Sequence, residues 1–263
     1  MTDAPATIAP APPTQLRLLS CNILAGGSVK RYREYVTHSW KHVVPVGKRA
    51  NLDGLAGLLG EFDVVGLQEA DFGSLRSGFM NQTQYLAETA GFPYWTHQPN
   101  RRMAKVAASS NGLLARLKPS EIIDYPLPGR IRGRGALWAR FGEGSDSLIV
   151  VIAHLSLGPV ARAAQLGFIT ELLEGHPNAV LMGDLNTPIE SPELSNLFAR
   201  TALVTPDAPP PTFPSWAPKR AIDHILVSDS LKVDELRTLP HLVSDHLPIA
   251  ATLTLPEGLV LAR

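Results

Sequence analysis

The 263-residue sequence predicts an α/β protein. Short apolar runs rich in Leu, Val and Ile alternate with Gly, Pro and polar connections, which is typical of buried strands. Between some of these runs, apolar residues recur three and four positions apart, the spacing of a helix with one buried face. The order strand, helix, strand therefore favours a sheet, parallel or mixed, that is covered by helices.

The apolar runs predict eight strands in chain order. They are expected at residues 16–21, 64–67, 112–116, 136–141, 148–153, 179–182, 222–227 and 249–255. Helices are expected at residues 51–59, 83–90 and 160–173. Residues 206–218 contain six prolines and predict an irregular loop, since proline cannot donate a backbone hydrogen bond. With no repeat and no sharp change of composition, we expect one domain over residues 15–263, after a flexible Pro-rich tail over residues 1–14.

The composition excludes several classes of protein. Hydrophobic residues make up 44% and charged residues 18% of the chain, which is close to globular averages and excludes a largely disordered protein. Lys plus Arg and Asp plus Glu number 24 each, so the excess of positive charge used in non-specific nucleic-acid binding is missing. The single cysteine, Cys21, excludes an internal disulfide and a Cys-rich zinc site.

The apolar runs are all too short to cross a bilayer. None approaches the roughly 18 to 20 uninterrupted apolar residues of a membrane span. The first 14 residues lack the charged start and apolar stretch of a secretory signal. We therefore expect no membrane span, a cytoplasmic location and a monomer.

Six apolar runs share one feature: an acid, an amide or an imidazole at or next to the end of the predicted strand. These residues are Asn22, Glu69, His154, Asp184 with Asn186, Asp223, and Asp245 with His246. Because open α/β sheets place their sites at strand ends, residues far apart in sequence are expected to meet there. Carboxylate and amide oxygens are the ligands that Mg²⁺ or Mn²⁺ prefers. The pattern predicts a site for a hard divalent ion, with imidazoles for proton transfer and phosphate contact.

Each signal alone has an ordinary structural explanation. The Asp184-Leu185-Asn186 segment after a glycine is typical of a turn, because Asp and Asn bond their own backbone. Glu69 and Asp245 could serve as helix caps, and His154 could be a structural histidine. The combination of six strand-end signals in one chain favours a site.

In order, the motifs resemble the endonuclease/exonuclease/phosphatase family, the metal-dependent phosphohydrolases related to pancreatic-type deoxyribonuclease. They are Ser20-Cys21-Asn22, Gln68-Glu69, Asn111-Gly112, His154, Gly183-Asp184-Leu185-Asn186, Ile222-Asp223 and Ser244-Asp245-His246. The resemblance extends over about residues 16–255. It implies a four-layer, deoxyribonuclease-like fold in which helices flank a two-sheet sandwich. It also implies hydrolysis of phosphate esters with Mg²⁺ or Mn²⁺ as the cofactor.

The resemblance also implies which residues hold the metal and which activate water. Glu69 would be the principal metal ligand, with Asn22 and Asp245 close to the ion directly or through water. Asp184 would orient and deprotonate the attacking water. Asn186 would contact the phosphate.

Two histidines complete the implied set. His154 would stabilise the pentacovalent state or protonate the leaving oxygen, and His246 would be paired with Asp223. Whether Asp184 or the His246 pair is the general base stays open. The sequence departs from the family pattern at His224, where an aromatic residue is common, and His224 is either structural or an extra ligand.

Three further residues are candidate contacts for the substrate phosphate: Asn111, Arg132 and Arg134. A guanidinium can bind two phosphate oxygens at once, although either arginine could equally be an exposed loop residue. The stretch from Ser28 to Arg49 is the most basic in the chain and could gather a polyanion or form a solvated surface.

We expect a phosphate-ester substrate, with a phosphodiester such as nucleic acid as the first candidate. A small phosphorylated or lipid-headgroup substrate is the second. A non-catalytic binding module on the same scaffold is the third, and it is disfavoured because every acid and imidazole of the set is present. The sequence lacks the Gly-x-Ser-x-Gly, phosphate-loop and His-Glu-x-x-His signatures of other hydrolases.

Overall fold

A computed structural model describes residues 14–24, 48–103, 107–129, 133–240 and 244–262. Arg132, the expected tail as far as residue 13, and the basic stretch as far as residue 47 lie outside the described residues. The expectations attached to them stay predictions.

Eleven strands and four helices form the described part of the chain. The strands are β1 (Gln15–Asn22), β2 (Val64–Ala70), β3 (Tyr94–Met103), β4 (Ala107–Ala115), β5 (Pro119–Pro126), β6 (Gly135–Phe141), β7 (Leu148–His154), β8 (Ala179–Asp184), β9 (Asp223–Val227), β10 (Lys232–Thr238) and β11 (Ile249–Thr254). The helices are α1 (Lys48–Leu59), α2 (Gln82–Ala90), α3 (Pro159–Leu173) and α4 (Pro192–Arg200). Among them no helix combines the length and the hydropathy needed to cross a membrane.

The strands form two mixed sheets. The first sheet has the order β10-β11-β1-β2-β4-β3 and the second has the order β5-β6-β7-β8-β9. In the first, β1 runs parallel to β2 and antiparallel to β11. In the second, β7 runs parallel to β8, and β9 runs antiparallel to β8. The two-sheet sandwich that the family resemblance implies is confirmed.

Successive residues of the central strands point to opposite faces of each sheet, and both faces are buried. Leu18 of β1 packs in the core between the sheets, whereas its neighbour Leu19 packs against α1 and α2. On the other side, Val151 and Leu181 pack against α3 and α4. The layers are therefore helix, sheet, sheet, helix. Burial on both faces explains why the central strands are continuous apolar runs in the sequence.

The eight predicted strands and three predicted helices are confirmed, with shifted ends. Strands β3, β5 and β10 and helix α4 were not predicted. All three missed strands lie at sheet edges, and β5 and β10 expose most of their side chains, so their sequences lack an apolar run. Helix α4 has only nine residues; its apolar residues Leu194, Leu197 and Phe198 are spaced three and four apart, a signal that was present in the sequence and was missed.

Candidate active site

The strand-end residues predicted for the site lie at one end of the sandwich. His154 is the last residue of β7 and pairs in register with Asp184, the last residue of the parallel strand β8. Asp184 pairs on its other side with Asp223, the first residue of the antiparallel strand β9. On the first sheet, Asn22 ends β1 beside Gln68 of β2. The strand order thus places these side chains along one rim.

We use the name rim cluster for the side chains of Asn22, Glu69, His154, Asp184, Asn186, Asp223, Asp245 and His246. Asp184 is at its centre and is buried. Its Oδ2 atom lies 3.3 Å from His154 Nε2, 3.3 Å from Asn22 Nδ2 and 3.9 Å from His246 Nε2. One carboxylate therefore contacts side chains from both sheets.

Glu69 joins the cluster through a distortion of β2. The register between β2 and β4 shifts between Leu67 and Ala70, and Glu69 has a positive φ of 58°. Such a conformation costs a non-glycine residue about 1–3 kcal/mol, and bulges of this kind re-aim a side chain. Glu69 Oε1 lies 3.4 Å from Asn22 Nδ2. Asn22 therefore bridges Glu69 and Asp184.

The Nδ2 hydrogens of the Asn22 side chain point towards Glu69 and Asp184. Its Oδ1 atom accepts a hydrogen bond from the backbone N–H of Leu24 at 3.2 Å. The expected role of Asn22 was that of a metal ligand or a neighbour of one. In this orientation it is a donor to Glu69 and Asp184, because its oxygen is already engaged.

Asn186 lies on the loop that follows β8. Its backbone N–H donates to Asp184 Oδ1 at 3.0 Å, and its Nδ2 donates to the carbonyl of Leu155 at 3.0 Å. Asn186 also has a positive φ, 55°, a conformation that asparagine tolerates better than most residues. The loop thus fixes one oxygen of Asp184 and places the Asn186 amide beside it.

His224 supports this loop from behind β9. It is buried, and its Nε2 lies 2.8 Å from the carbonyl oxygen of Thr187, one residue after Asn186. Burial lowers the pKa of His224, so the neutral ring donates from Nε2. Of the two interpretations of His224, the structure supports the structural one.

His246 is held by a second carboxylate. Its Nδ1 lies 2.8 Å from Asp223 Oδ2, and the same oxygen accepts from the Thr212 hydroxyl at 2.5 Å. The ring of Phe213 packs on the imidazole, with ring centres 5.0 Å apart. Thr212 and Phe213 were missed by the sequence analysis. The only signal for them was the Pro-rich segment 206–218, which has no periodicity that would single out a residue.

The segment that carries Asp245 is anchored to both ends of the rim. The Ser244 hydroxyl donates to the backbone oxygen of Asn22 at 2.6 Å and accepts from the backbone N–H of His246 at 2.9 Å. The backbone oxygen of Asp245 accepts from the N–H of Ser215 at 2.7 Å. Asp245 is thereby fixed between Ser244 and His246, and its carboxylate is close enough to raise the pKa of His246.

The proton affinities of the cluster reflect crowding of buried acids. Burial raises the pKa of Asp184 to about 7, and the charges of Asp223 and Glu69 add to this increase, while His246 opposes it. Burial lowers the pKa of His246, but the charge and hydrogen bond of Asp223, with the charges of Asp184 and Asp245, outweigh burial and raise it to about 10.

His154 has the opposite tendency. Burial holds its pKa well below the usual range, and the positive charges of Arg134 and His246 lower it further. A neutral imidazole keeps one N–H for donation. The 3.3 Å contact with Asp184 Oδ2 places Nε2 as that donor. The two histidines of the cluster therefore differ in charge: His246 is the cation and His154 is neutral.

The two other candidate phosphate contacts within the described residues, Asn111 and Arg134, lie in different surroundings. Asn111 is fully buried, and its Nδ2 lies 3.1 Å from Gln98 Oε1 and 2.9 Å from the carbonyl oxygen of Gly135. Its amide hydrogens thus bridge the two sheets, while its Oδ1 atom is buried without a hydrogen-bond partner in the described part of the chain. Arg134 is half-buried and donates from Nη1 to the carbonyl oxygen of His154 at 3.4 Å. It adjoins the rim cluster directly.

The donor set fits a hard divalent ion. Four carboxylates converge at the rim, and within the described residues neither Glu69 nor Asp184 forms an ion pair with a lysine or an arginine. Carboxylate oxygen is the ligand that Mg²⁺ and Mn²⁺ prefer. A divalent cation at this position would offset the repulsion that raises the pKa of Asp184.

Judged only by the distances between possible ligand atoms, a different set of residues would hold the metal ion. One ligand atom each from Asp184, Asp223 and His246 lies within 4.8 Å of the others. However, Asp223 Oδ2 already accepts from His246 and from Thr212. The His246–Asp223 hydrogen bond accounts for the closeness of two members of this trio.

A two-sheet sandwich with acids and imidazoles from both sheets at one rim defines the class of deoxyribonuclease-like phosphoester hydrolases. The model of the endonuclease/exonuclease/phosphatase family matches residues 19–246 of the chain. The chain belongs to this family. A comparison with curated proteins gives no match.

Solved structures of the family have the same fold. An endonuclease/exonuclease/phosphatase from Beutenbergia cavernae is 20% identical, with a TM-score of 0.71, over 93% of this chain and 72% of that one. A mannosyl-6-phosphatase from Bacteroides thetaiotaomicron is 19% identical, with a TM-score of 0.64, over 90% and 99% of the two chains. D. rerio TDP2, in complex with a single-strand DNA product, is 16% identical, with a TM-score of 0.65, over 92% and 99%.

Proposed function

We propose that the chain hydrolyses phosphate esters with the aid of Mg²⁺ or Mn²⁺, and that phosphodiesters, including those of nucleic acids, are its first class of substrate. The contacts of Asp184 carry this proposal. Within 4 Å its Oδ2 atom has two imidazole nitrogens and the amide that leads to Glu69. Such a set serves to bind a cation, activate water and stabilise a charged phosphorus centre.

Glu69 and Asp245 would hold the ion, with Asn22 adjoining Glu69. When bound, the ion would neutralise negative charge on the phosphate and on the departing oxygen. Catalysis needs this because a phosphate anion repels the attacking water as water loses its proton.

The other side chains of the rim cluster would act on the substrate and on water. The backbone N–H of Asn186 fixes Asp184 through Oδ1. Asp184 Oδ2, which adjoins Asn22 and His154, would orient water and take its proton. On substrate binding, the single N–H of neutral His154 would pass from Asp184 Oδ2 to a phosphate oxygen. The Asn186 amide, which uses one hydrogen for the carbonyl oxygen of Leu155, would add a second donor. Asp223 holds the ring of His246 through Nδ1 and stabilises its protonated form, which would donate a proton from Nε2 to the leaving oxygen.

This division of roles addresses the question that the sequence left open. A carboxylate with a pKa of about 7 and an imidazole with a pKa of about 10 are suited to opposite tasks near neutral pH. Asp184 is then the general base and the His246–Asp223 pair is the general acid.

A second candidate is the hydrolysis of a small phosphorylated substrate. The similarity to a mannosyl-6-phosphatase over nearly the whole length of both chains supports it. A non-catalytic module is a poor third, because such a module has no need of a buried, crowded set of acids that costs stability.

The test is a panel of phosphate esters assayed with Mg²⁺, with Mn²⁺ and with a chelator. We expect hydrolysis of bis(p-nitrophenyl) phosphate that needs the added metal and is lost in Asp184→Asn. The matched control is Glu61→Gln, an exposed acid away from the rim cluster, which should retain full activity. Metal-independent activity, or equal activity of the Asp184 variant, would contradict the proposal.

A further inference from the structure

A cleft of about 200 Å³ lies beside the rim cluster. Residues of β3, β5 and the start of β6 line it, among them Gln98, Asn100, Asp124 and Arg134. Arg134 joins the two features, because it lines the cleft and also donates to the carbonyl oxygen of His154. A substrate with its phosphate at the rim cluster and a group that reaches past Arg134 would meet this cleft.

Asn100 owes its position in the cleft to a bulge. The register between β3 and β4 shifts between Pro99 and Arg101, so Asn100 is the extra residue of β3. Its Oδ1 atom is buried and has no hydrogen-bond partner within the described part of the chain. A buried acceptor without a partner costs about 1–3 kcal/mol. A ligand that donates a hydrogen bond would remove this cost.

The floor of the cleft is rigid. The Gln98 Nε2 atom donates to the carbonyl oxygens of Tyr125 at 3.1 Å and of Ala136 at 3.2 Å. Its Oε1 atom accepts from Asn111 at 3.1 Å. Gln98 is buried and held at both ends of its amide, so the cleft is formed before a ligand arrives. A preformed cleft binds without the cost of ordering its wall.

The charges of the cleft discriminate between ligands. Asp124 lines the wall and offers two acceptor oxygens; burial raises its pKa, an effect that His97 opposes. A carboxylate accepts hydrogen bonds from hydroxyl groups and repels a second phosphate. Arg134 supplies the positive charge on the side that faces His154. This arrangement suits one phosphate at the rim and a neutral, hydrogen-bond-donating group in the cleft.

The size of the cleft sets the size of that group. Pockets for drug-sized ligands measure about 300–1,000 Å³. A cleft of about 200 Å³ is smaller and accommodates a single ring. Hydroxyl groups on such a ring would donate to Asn100 and Asp124 and accept from Arg134.

We propose that this cleft binds a hydroxylated ring that carries the scissile phosphate, a sugar or cyclitol phosphate, and that Asn100 and Asp124 determine this specificity. The inference rests on the proposed function and names its substrate class. It keeps metal-aided hydrolysis of a phosphate ester but replaces phosphodiesters by the second candidate substrate, because the next phosphate of a polynucleotide would meet the charge of Asp124.

The test compares phosphate monoesters of similar charge with and without ring hydroxyls. Glucose 6-phosphate and myo-inositol 1-phosphate carry ring hydroxyls, whereas p-nitrophenyl phosphate does not. The quantity measured is kcat/KM for each hydroxylated substrate divided by kcat/KM for p-nitrophenyl phosphate. We expect Asp124→Asn and Asn100→Ala each to lower this ratio by at least about tenfold. A site built to bond hydroxyls loses its discrimination when an acceptor is removed. Glu121→Gln is the matched control: it is an exposed acid on the same strand, paired with Arg140, and should leave the ratio unchanged.

Two outcomes would overturn the inference while leaving phosphate-ester hydrolysis intact. One is an unchanged ratio in both cleft variants. The other is a wild-type protein that prefers a single-stranded oligothymidylate to both hydroxylated substrates.

If no ester is hydrolysed, the proposed function fails and the cleft is judged by binding alone. Calorimetric titration of glucose 6-phosphate into metal-free protein should then give weaker binding to Asp124→Asn than to the wild type. Equal affinity would overturn the inference about the cleft.

Discussion

The buried pair of His246 and Asp223 should make the free energy of unfolding depend on pH. Asp223→Asn keeps the shape of the side chain and removes the charge that lies 2.8 Å from His246 Nδ1. In the wild type the pKa of His246 is about 10, against an ordinary value of 6.5. In the variant, burial of the imidazole is no longer offset by Asp223, so the ring becomes neutral at a lower pH.

The direction of the pH dependence follows from these values. A histidine whose pKa is higher in the folded state contributes stability in full below its unfolded pKa, here about 6.5, and loses it as the pH rises through about 10. Breaking a buried pair of this kind costs about 3–5 kcal/mol. Between pH 6.5 and pH 9.5 the contribution falls by up to about 1.4 kcal/mol for each pH unit.

We therefore expect Asp223→Asn to lower the free energy of unfolding by about 3 kcal/mol at pH 6.5 and by less than about 1 kcal/mol at pH 9.5. Urea denaturation in the presence of a chelator measures both values. The control is Asp229→Asn, an exposed acid that should have no effect at either pH. A destabilisation that is the same at both pH values would refute the assignment of a charged pair.

The same pair predicts coupled losses of activity. Since Asp223 acts through His246, we expect His246→Asn and Asp223→Asn each to lower kcat by about 10² to 10⁴ and the double variant to lose little more than either one. Losses that multiply would show that the two residues act separately.

Two further predictions concern the metal and the backbone. Mg²⁺ at 100 times its dissociation constant should raise the free energy of unfolding by about 2.7 kcal/mol in a denaturant titration. The variant Glu69→Gln should lose most of that increase. An equal increase in the variant would exclude Glu69 as a ligand. Gly183→Ala should destabilise by at least about 2 kcal/mol, because Gly183 has a φ of 143° and an added Cβ would lie 1.8 Å from the Ala153 oxygen. Gly57→Ala, in helix α1 with nothing within 4 Å, should instead stabilise by about 0.5–1 kcal/mol; similar melting temperatures for the two variants would contradict this reasoning.

The central strands were predictable because burial on both faces leaves a continuous signal in the sequence. Every residue of Leu148–His154 is buried, and the apolar run identifies that strand without further information. The edge strand Lys232–Thr238 has no such signal, because only a sheet neighbour specifies it. Sequence patterning therefore predicts the buried strands, including β9 at a sheet edge, and misses the exposed edge strands β5 and β10.

For the candidate site, the sequence predicted which residues stand at strand ends. It did not specify the contacts that orient them. The hydrogen bond from Thr212 to Asp223 joins a loop without periodicity to a strand, and the bulge at Asn100 depends on the register of two strands. Orientation of a side chain by a distant loop is a property of tertiary structure, and it has no counterpart in local spacing.

The hydrogen bond between Ser244 and Asn22 joins positions 222 residues apart. Strand β11, which pairs with β1, also comes from this late part of the chain. During synthesis on a ribosome, one edge of β1 therefore stays open until Ile249–Thr254 has emerged. Contacts of such separation form slowly, since a long loop must close first. A nascent chain that ends before Asp245 would lack both β11 and one acid of the rim cluster, so a complete site would form only when β11 can also join the sheet.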